Sequence, residues 1–480
     1  MSKSIKKNFA WNLLLTGSGY IIPLITYPYS SRILGVENMG ICGYVDSIVN
    51  YFILFSALGV GTLGVREIAR CKDDKEKRNK VYSSLLAINV SLTAIGAILL
   101  FILTYTLPLF SDYKDFLMVG ILKLISQAFL VEWLFQGVQD FKYVTLRSLA
   151  IKFGYVIALF LFVRSKEDVL IYYSLSTAIN VANCIWNSLY SQKYVRFKFD
   201  DISIKPFYVA VLSYGYYRIL TSLYTTFNTF YLGSVSTNTE VGYFITATKL
   251  INILMAVFTA FTTVMIPKVA EMLNDRKIGE LQIIANKTFS VLYALAVPMI
   301  VYCISYAPDI IFLLSGSGYE GAITPFRIII FMLLIIGMEQ IAIRQFLMGD
   351  KKSTSVTILS TVGAFVGISL NILLVKEFGS IGSSISWGCS ELCVLIVGLW
   401  YLKKDIGICL NINQLLSSLF SSLIYVFPII LVNYLVDNRW LKLIISASFL
   451  IVIFLIVNVR IKNDSYIAEV FNKTYTKFKK

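Results

Sequence analysis

The sequence predicts an all-α polytopic membrane protein, and three observations carry that prediction. Apolar runs of ~20 residues, the length that crosses a bilayer core, recur from end to end of the 480 residues. Hydrophobic residues make up 57% and charged ones only 15%, where soluble domains carry about a quarter charged; mean hydropathy is +0.72. The runs are continuous, whereas barrel strands would read as ~10-residue alternations, so helices satisfy the backbone in lipid.

About fourteen spans fit the chain, at roughly 9–31, 41–64, 82–108, 116–138, 145–163, 169–190, 207–232, 241–266, 288–307, 325–348, 355–375, 379–402, 415–436 and 440–459. The first follows a basic start, MSKSIKK, and has no A-x-A-like cleavage site, so it reads as an uncleaved span. Pro23 and Pro28 in span one and Pro298 in span nine are candidate kinks or hinges.

The net charge of +15 is topological. Most Lys and Arg fall on the side shared with the N-terminus; the other side holds Arg32, Lys114, Arg164, Lys166, Arg327, Lys376, Arg439 and Lys442. By the positive-inside rule both termini are cytoplasmic. Basic clusters such as REIARCKDDKEKRNK favour anionic headgroups, and nothing in this distribution calls for a nucleic-acid partner. The seven cysteines form no C-x-x-C pair, and histidine is absent, which removes the commonest metal ligand and any imidazole proton relay. No cofactor or metal is expected.

The chain repeats itself. ILGVENMGICGY (33–44) returns as YLGSVSTNTEVGY (231–243), RNKVYSSLLAI (78–88) as ANKTFSVLYAL (285–295), and YVTLRS (143–148) faces SVTILS (355–360). The shared order defines two parallel six-span units, related by an axis along the membrane normal. We expect an N-terminal lobe over 1–200 and a C-terminal lobe over 201–405 around a central cavity. Two added helices and a basic tail follow over 406–480. Such paired lobes are the usual frame for alternating access.

Charge in the bilayer costs at least ~2.5–3.5 kcal/mol per residue on insertion scales, so buried charges mark cavities or partners. The bases so placed are Lys123, Arg218, Lys249 and Arg344; Arg32 lies nearer an outer end. Arg218 sits about eleven residues into its span, roughly 16 Å deep. It is either an ion-pair partner, for example of Glu391, or a standing counter-charge for an anionic substrate, since guanidinium keeps its proton and fits phosphate oxygens. Tyr214, Tyr216 and Thr221 give its helix hydroxyls that suit sugars and packing alike. The acids Glu132, Glu339, Glu391 and Asp46 are candidate coupling or ion-pair groups, with Glu132 and Gln136 on one helical face. No nucleotide-binding G-x-x-x-x-G-K-[ST], no G-x-S-x-G and no large outer loop are present, so neither an ATP motor nor an enzyme is expected.

SRILGVENMGICGYVDSIVNYFILFSALGVGTLGVREIAR (31–70) and EWLFQGVQDFKYVTLRS (132–148) resemble the polysaccharide-repeat-unit flippases, the O-antigen and capsule exporters. The likeness spans roughly 9–404. It implies the multidrug/oligosaccharidyl-lipid/polysaccharide exporter fold. The implied substrate is a polyprenyl-pyrophosphate-linked oligosaccharide, carried to the outer leaflet of a bacterial cytoplasmic membrane. Polysaccharide polymerase and chain-length machinery are the implied partners, beside membrane lipids. Arg32 and Arg66 match positions typically basic in that family. Asn228 departs from it, standing where an acid is common; coupling would then fall to Glu391 or be absent. The alternatives are a peptidoglycan-precursor flippase, a multidrug extruder of the same superfamily, or a membrane polysaccharide polymerase or ligase.

Overall fold

The structure, a computed structural model, describes residues 2–71, 74–275, 278–347 and 353–457. The basic tail expected at the end of the chain falls outside the described residues after 457.

Among the described residues the chain is helical and holds no strand. The helices of the first half are α1 (Ser2–Ala57), α2 (Val60–Cys71), α3 (Lys75–Thr106), α4 (Lys114–Ala128), α5 (Glu132–Gly137), α6 (Phe141–Phe162), α7 (Val169–Ser191), α8 (Lys205–Thr225) and α9 (Phe227–Val235). Then come α10 (Asn238–Asn274), α11 (Ile278–Ser305), α12 (Ala307–Ser315), α13 (Ile323–Ile329), α14 (Met332–Glu339), α15 (Ser353–Tyr401), α16 (Ile412–Leu435) and α17 (Arg439–Leu455). A π-helical stretch, Gln340–Leu347, continues α14.

Among the described residues ten continuous stretches are long and apolar enough to cross a membrane, and the chain is a multi-pass membrane protein. Ala10–Cys71, at 62 residues, would run about 90 Å if straight, three times a bilayer core. It therefore holds two crossings, divided at Gly35 (φ 80°). Ser355–Ile406 is divided likewise at Gly379 (φ 50°). Both breaks use the left-handed region, which glycine enters without a Cβ penalty. The expected loop between spans one and two is thus one non-helical residue. Pro23, Pro28 and Pro298 lie inside continuous helix, so the breaks fall elsewhere.

Other breaks were not expected: span two stops at Leu58, span four at Phe129–Val131, span seven at Thr226, and span ten is split into α13, α14 and the π-helical stretch. Leu58 (φ 33°) and Val131 (φ 35°) are left-handed without being glycine.

The chain forms two compact units, residues 1–245 with 368–383, and 246–367 with 384–480. In the first, α1 runs alongside α6 through Thr145 to the Trp11 carbonyl, Lys152 to Ser18, and Tyr29 to the Val163 carbonyl (2.9, 2.9 and 2.8 Å). The two copies of the L-G…G-Y segment pack on each other. A Cβ on Gly40 would lie 1.7 Å from the Asn238 carbonyl oxygen, and one on Gly242 2.2 Å from that of Val36. Gly233 accommodates the ring of Tyr44, whose hydroxyl hydrogen-bonds Ser234 (3.2 Å). Glu240 accepts the Ser380 backbone N–H (2.8 Å), capping the helix that restarts after Gly379.

In the second unit, α16 and α17 dock on α11 and α12 through two tyrosines. Tyr302 donates to the Leu443 carbonyl (3.0 Å), and buried Tyr306 hydrogen-bonds Ser446.

Candidate functional site

The break at Leu58 brings two exposed arginines of the first unit together. Where α1 ends, its last carbonyls lose their helical partners, and the end of a helix favours a cation. Arg218, on α8, donates Nη1–H to the Leu58 carbonyl at 3.4 Å. Arg66, on α2 just past the break, donates Nη1–H to the Tyr214 hydroxyl at 3.0 Å. Tyr214 and Arg218 are four apart and share one face of α8. Gly59 and Gly215 let the break lie close against α8, since a Cβ on Gly59 would be 2.5 Å from Tyr214 Cβ. Two guanidinium groups thus converge on one turn of α8, and both side chains remain exposed, Arg66 at 52%. Glu67 stands 3.9 Å from Arg66 Nε but is engaged more closely by Arg70 (2.9 Å). A phosphate presented here meets forked donors that keep their charge.

The other sequence-predicted residues fall into different settings. Lys123 pairs with Asp46 at 2.6 Å, and Tyr173 also donates to that carboxylate (3.2 Å). This base is occupied in tying α4 and α7 to α1. Glu132 pairs with Arg147 (2.7 Å). Arg32 is exposed on α1 in the first unit; Lys249 and Arg344 are exposed in the second. Glu339 and Glu391 lie together in the second unit, and Trp387 donates its indole N–H to Glu391 at 2.8 Å. Asn228, at the position where an acid was looked for, accepts a hydrogen bond from Asn371 at 2.7 Å.

Arg147 escaped the sequence reading because it was counted with the basic flank of span five. Its side chain is 1% exposed and donates to Glu132 and Asn187. Fifteen residues separate it from Glu132, so neither helical periodicity nor a short motif links them; their common membership of the E-W-L-F-Q-G…L-R-S segment was the available signal. Nearby, Tyr194 donates to Asp140 at 2.6 Å. Burial first, and then the carboxylate, push the Tyr194 phenol above its usual range.

Comparison with known proteins gives the family and the fold. The family model described as "Polysaccharide biosynthesis protein" matches residues 5–273. A protein of Escherichia coli (strain K12) named "Putative O-antigen transporter" is 24% identical, over 84% of this chain and 97% of its own. One of Shigella dysenteriae with the same name is 24% identical over 83% and 100%. Among solved structures, the lipid II flippase MurJ in an inward closed conformation aligns with a TM-score of 0.75 at 16% identity, over 95% of this chain and 99% of that one. An inward-facing MATE-family multidrug transporter of the MOP superfamily gives 0.62 at 16%, over 80% and 94%. The chain belongs to the polysaccharide biosynthesis protein family and has the fold of a MOP-superfamily transporter.

Proposed function

We propose that this protein is a flippase that carries polyprenyl-pyrophosphate-linked oligosaccharide repeat units from the inner to the outer leaflet of the bacterial cytoplasmic membrane by alternating access. Surface polysaccharide synthesis is the process it serves. The observation that carries the reading is the convergence of Arg218 and Arg66 on one turn of α8 at a broken membrane helix. Each sugar hydroxyl moved unpartnered into hydrocarbon costs several kcal/mol, about 4–8 on a cyclohexane scale, and an ionised diphosphate costs far more. A carrier must therefore offer fixed positive charge and hydroxyls while leaving the prenyl tail in lipid. Arg218 and Arg66 offer the charge and Tyr214 a hydroxyl. Arg32 in the first unit and Lys249 and Arg344 in the second are further candidate basic groups for the same anion, and no covalent step is involved.

The names of the curated relatives support the O-antigen class of substrate. The lipid II flippase likeness is one of fold, and it keeps a peptidoglycan-precursor substrate as the second reading, since both lipids carry a diphosphate. Deleting the gene and identifying by mass spectrometry the lipid-linked saccharide that accumulates tests the choice. A repeat-unit oligosaccharide is expected; accumulation of the peptidoglycan precursor, or of neither, defeats the proposal. Arg218→Gln should abolish surface polysaccharide at normal protein level, with Arg218→Lys restoring part of it.

A further inference from the structure

The first unit carries a groove that the site at Leu58 does not use. It lies between the N-terminal end of α6 and the C-terminal end of α7, on the side that the Lys and Arg distribution makes cytoplasmic. Its apolar stretch, about 590 Å³, is lined by Ala182, Ile185, Trp186, Leu189 and Tyr190. A second stretch of about 460 Å³ shares Trp186 and Tyr190 and reaches Leu146, Ala150, Asp140 and Lys142.

What the groove opens onto is set by α6. Leu146, Ala150, Phe153, Ile157 and Phe160 follow one another at spacings of four and three, so they form one stripe down that helix. All five are exposed, Phe153 at 67%. The wall of a water-filled cavity would carry polar groups, so a stripe of this composition on a membrane helix faces acyl chains. It runs roughly 21 Å at 1.5 Å per residue, longer than the ~15 Å half-thickness of a bilayer core. On α7, Ile185 and Leu189 stand one turn apart and are 56% and 65% exposed. Trp186 is exposed beside them, near the level where Trp and Tyr gather at a membrane–water boundary.

The other end of the groove is polar and net positive. Lys142 and Lys193 are both exposed. Lys193 lies 5.2 Å above the Tyr190 ring and donates to its hydroxyl at 3.2 Å. Tyr190 stacks on Tyr143 with ring centroids 3.6 Å apart, which stiffens the floor. Asp140 opposes the lysines with one charge. Its carboxylate is occupied by the Tyr190 and Tyr194 hydroxyls (3.0 and 2.6 Å) and by the Tyr143 backbone N–H (3.3 Å). Arg147 is paired with Glu132.

We propose that this groove binds one anionic phospholipid of the cytoplasmic leaflet, with its phosphate at Lys142 and Lys193 and its acyl chains along Ile185 and the α6 stripe. A zwitterionic headgroup would set its own cation against the two lysines. A diphosphate calls for forked donors, and the guanidinium of Arg147 is closed off; lysine ammonium is a point charge that serves a single phosphate. The site is independent of what the protein carries.

Native mass spectrometry of the full-length protein tests this, with delipidated protein titrated in detergent with phosphatidylglycerol or with phosphatidylcholine of the same chains. One phosphatidylglycerol should bind about ten-fold more tightly than phosphatidylcholine, the pull of two lysines less that of Asp140. The Lys142→Gln/Lys193→Gln variant should lose that preference, and both positions are exposed, so the fold is kept. Trp186→Ala should weaken both lipids alike. The Lys75→Gln/Lys80→Gln variant, altered at exposed positions on α3 outside the groove, should keep the preference. Equal binding of the two lipids by the unaltered protein, or a preference that survives without Lys142 and Lys193, overturns the site. So does a preference lost equally without Lys75 and Lys80, or full affinity in Trp186→Ala. Protein purified from membranes should retain a phospholipid; retention of a lipid-linked saccharide in its place overturns the assignment.

Discussion

At Leu58 and at Val131 a membrane helix is interrupted by a residue in the left-handed region, with φ of 33° and 35°, and each interruption has an arginine beside it. At Val131 the arginine is Arg147, which is buried and closed off by Glu132 and Asn187, while Asn187 in turn donates to the Leu130 carbonyl freed by the break. At Leu58 the arginine is Arg218, which is exposed and, among the described residues, donates to one neutral carbonyl at 3.4 Å and meets no carboxylate. The same local device ends in a neutralised latch in one place and in an unneutralised cation in the other. A permanent charge whose task is structural is matched by an acid. One matched only by a helix end keeps its capacity to bind an anion.

Substitutions break or sharpen this contrast, ranked by their effect on stability. Arg147→Ala empties a buried site and leaves Asn187 and Glu132 without their donor; because Glu132 is 43% exposed and solvent screens it, the cost should be about 2–4 kcal/mol, most of it from the buried side chain. It is read as a large fall in thermal midpoint and in yield of monodisperse protein, and Arg147→Met with Glu132→Gln should recover most of it. Gly40→Ala forces a Cβ against the Asn238 backbone, which cannot rotate away as a side chain would, and should cost about 1–3 kcal/mol in the same thermal assay. Lys123→Gln loses its ion pair with Asp46, whose side chain is 38% exposed, so solvent screening holds the cost to about 1 kcal/mol. Arg218→Gln should shift stability by less than about 0.5 kcal/mol while removing export. If Arg218→Gln instead unfolds the protein as Arg147→Ala does, the two breaks are alike and the contrast fails.

Hydropathy made the membrane-spanning helices legible, because lipid imposes both a length and a polarity on every crossing. The Gly35 and Gly379 breaks follow from glycine chemistry, though their compactness did not show in the loop lengths read from sequence. Leu58 and Val131 were illegible for the opposite reason. Their residue types favour helix or strand, and tertiary contacts hold them left-handed. The charges were found but not their partners: Lys123 meets Asp46 across 77 residues and Glu339 meets Glu391 across 52, distances at which sequence spacing carries no information. Arg66, suspected only by resemblance, gains a physical setting from Tyr214.

The contact between the two L-G…G-Y segments bears on which substitutions this stretch of chain can accept. Tyr44 of one copy fills the space above Gly233 of the other, and Gly40 and Gly242 each touch main chain of the opposite copy. A substitution on one side is therefore felt on both, so a side chain added at Gly40 or Gly242 demands an answering change in the opposite segment. The two segments that echo one another in sequence are thus also two that press together within the first unit.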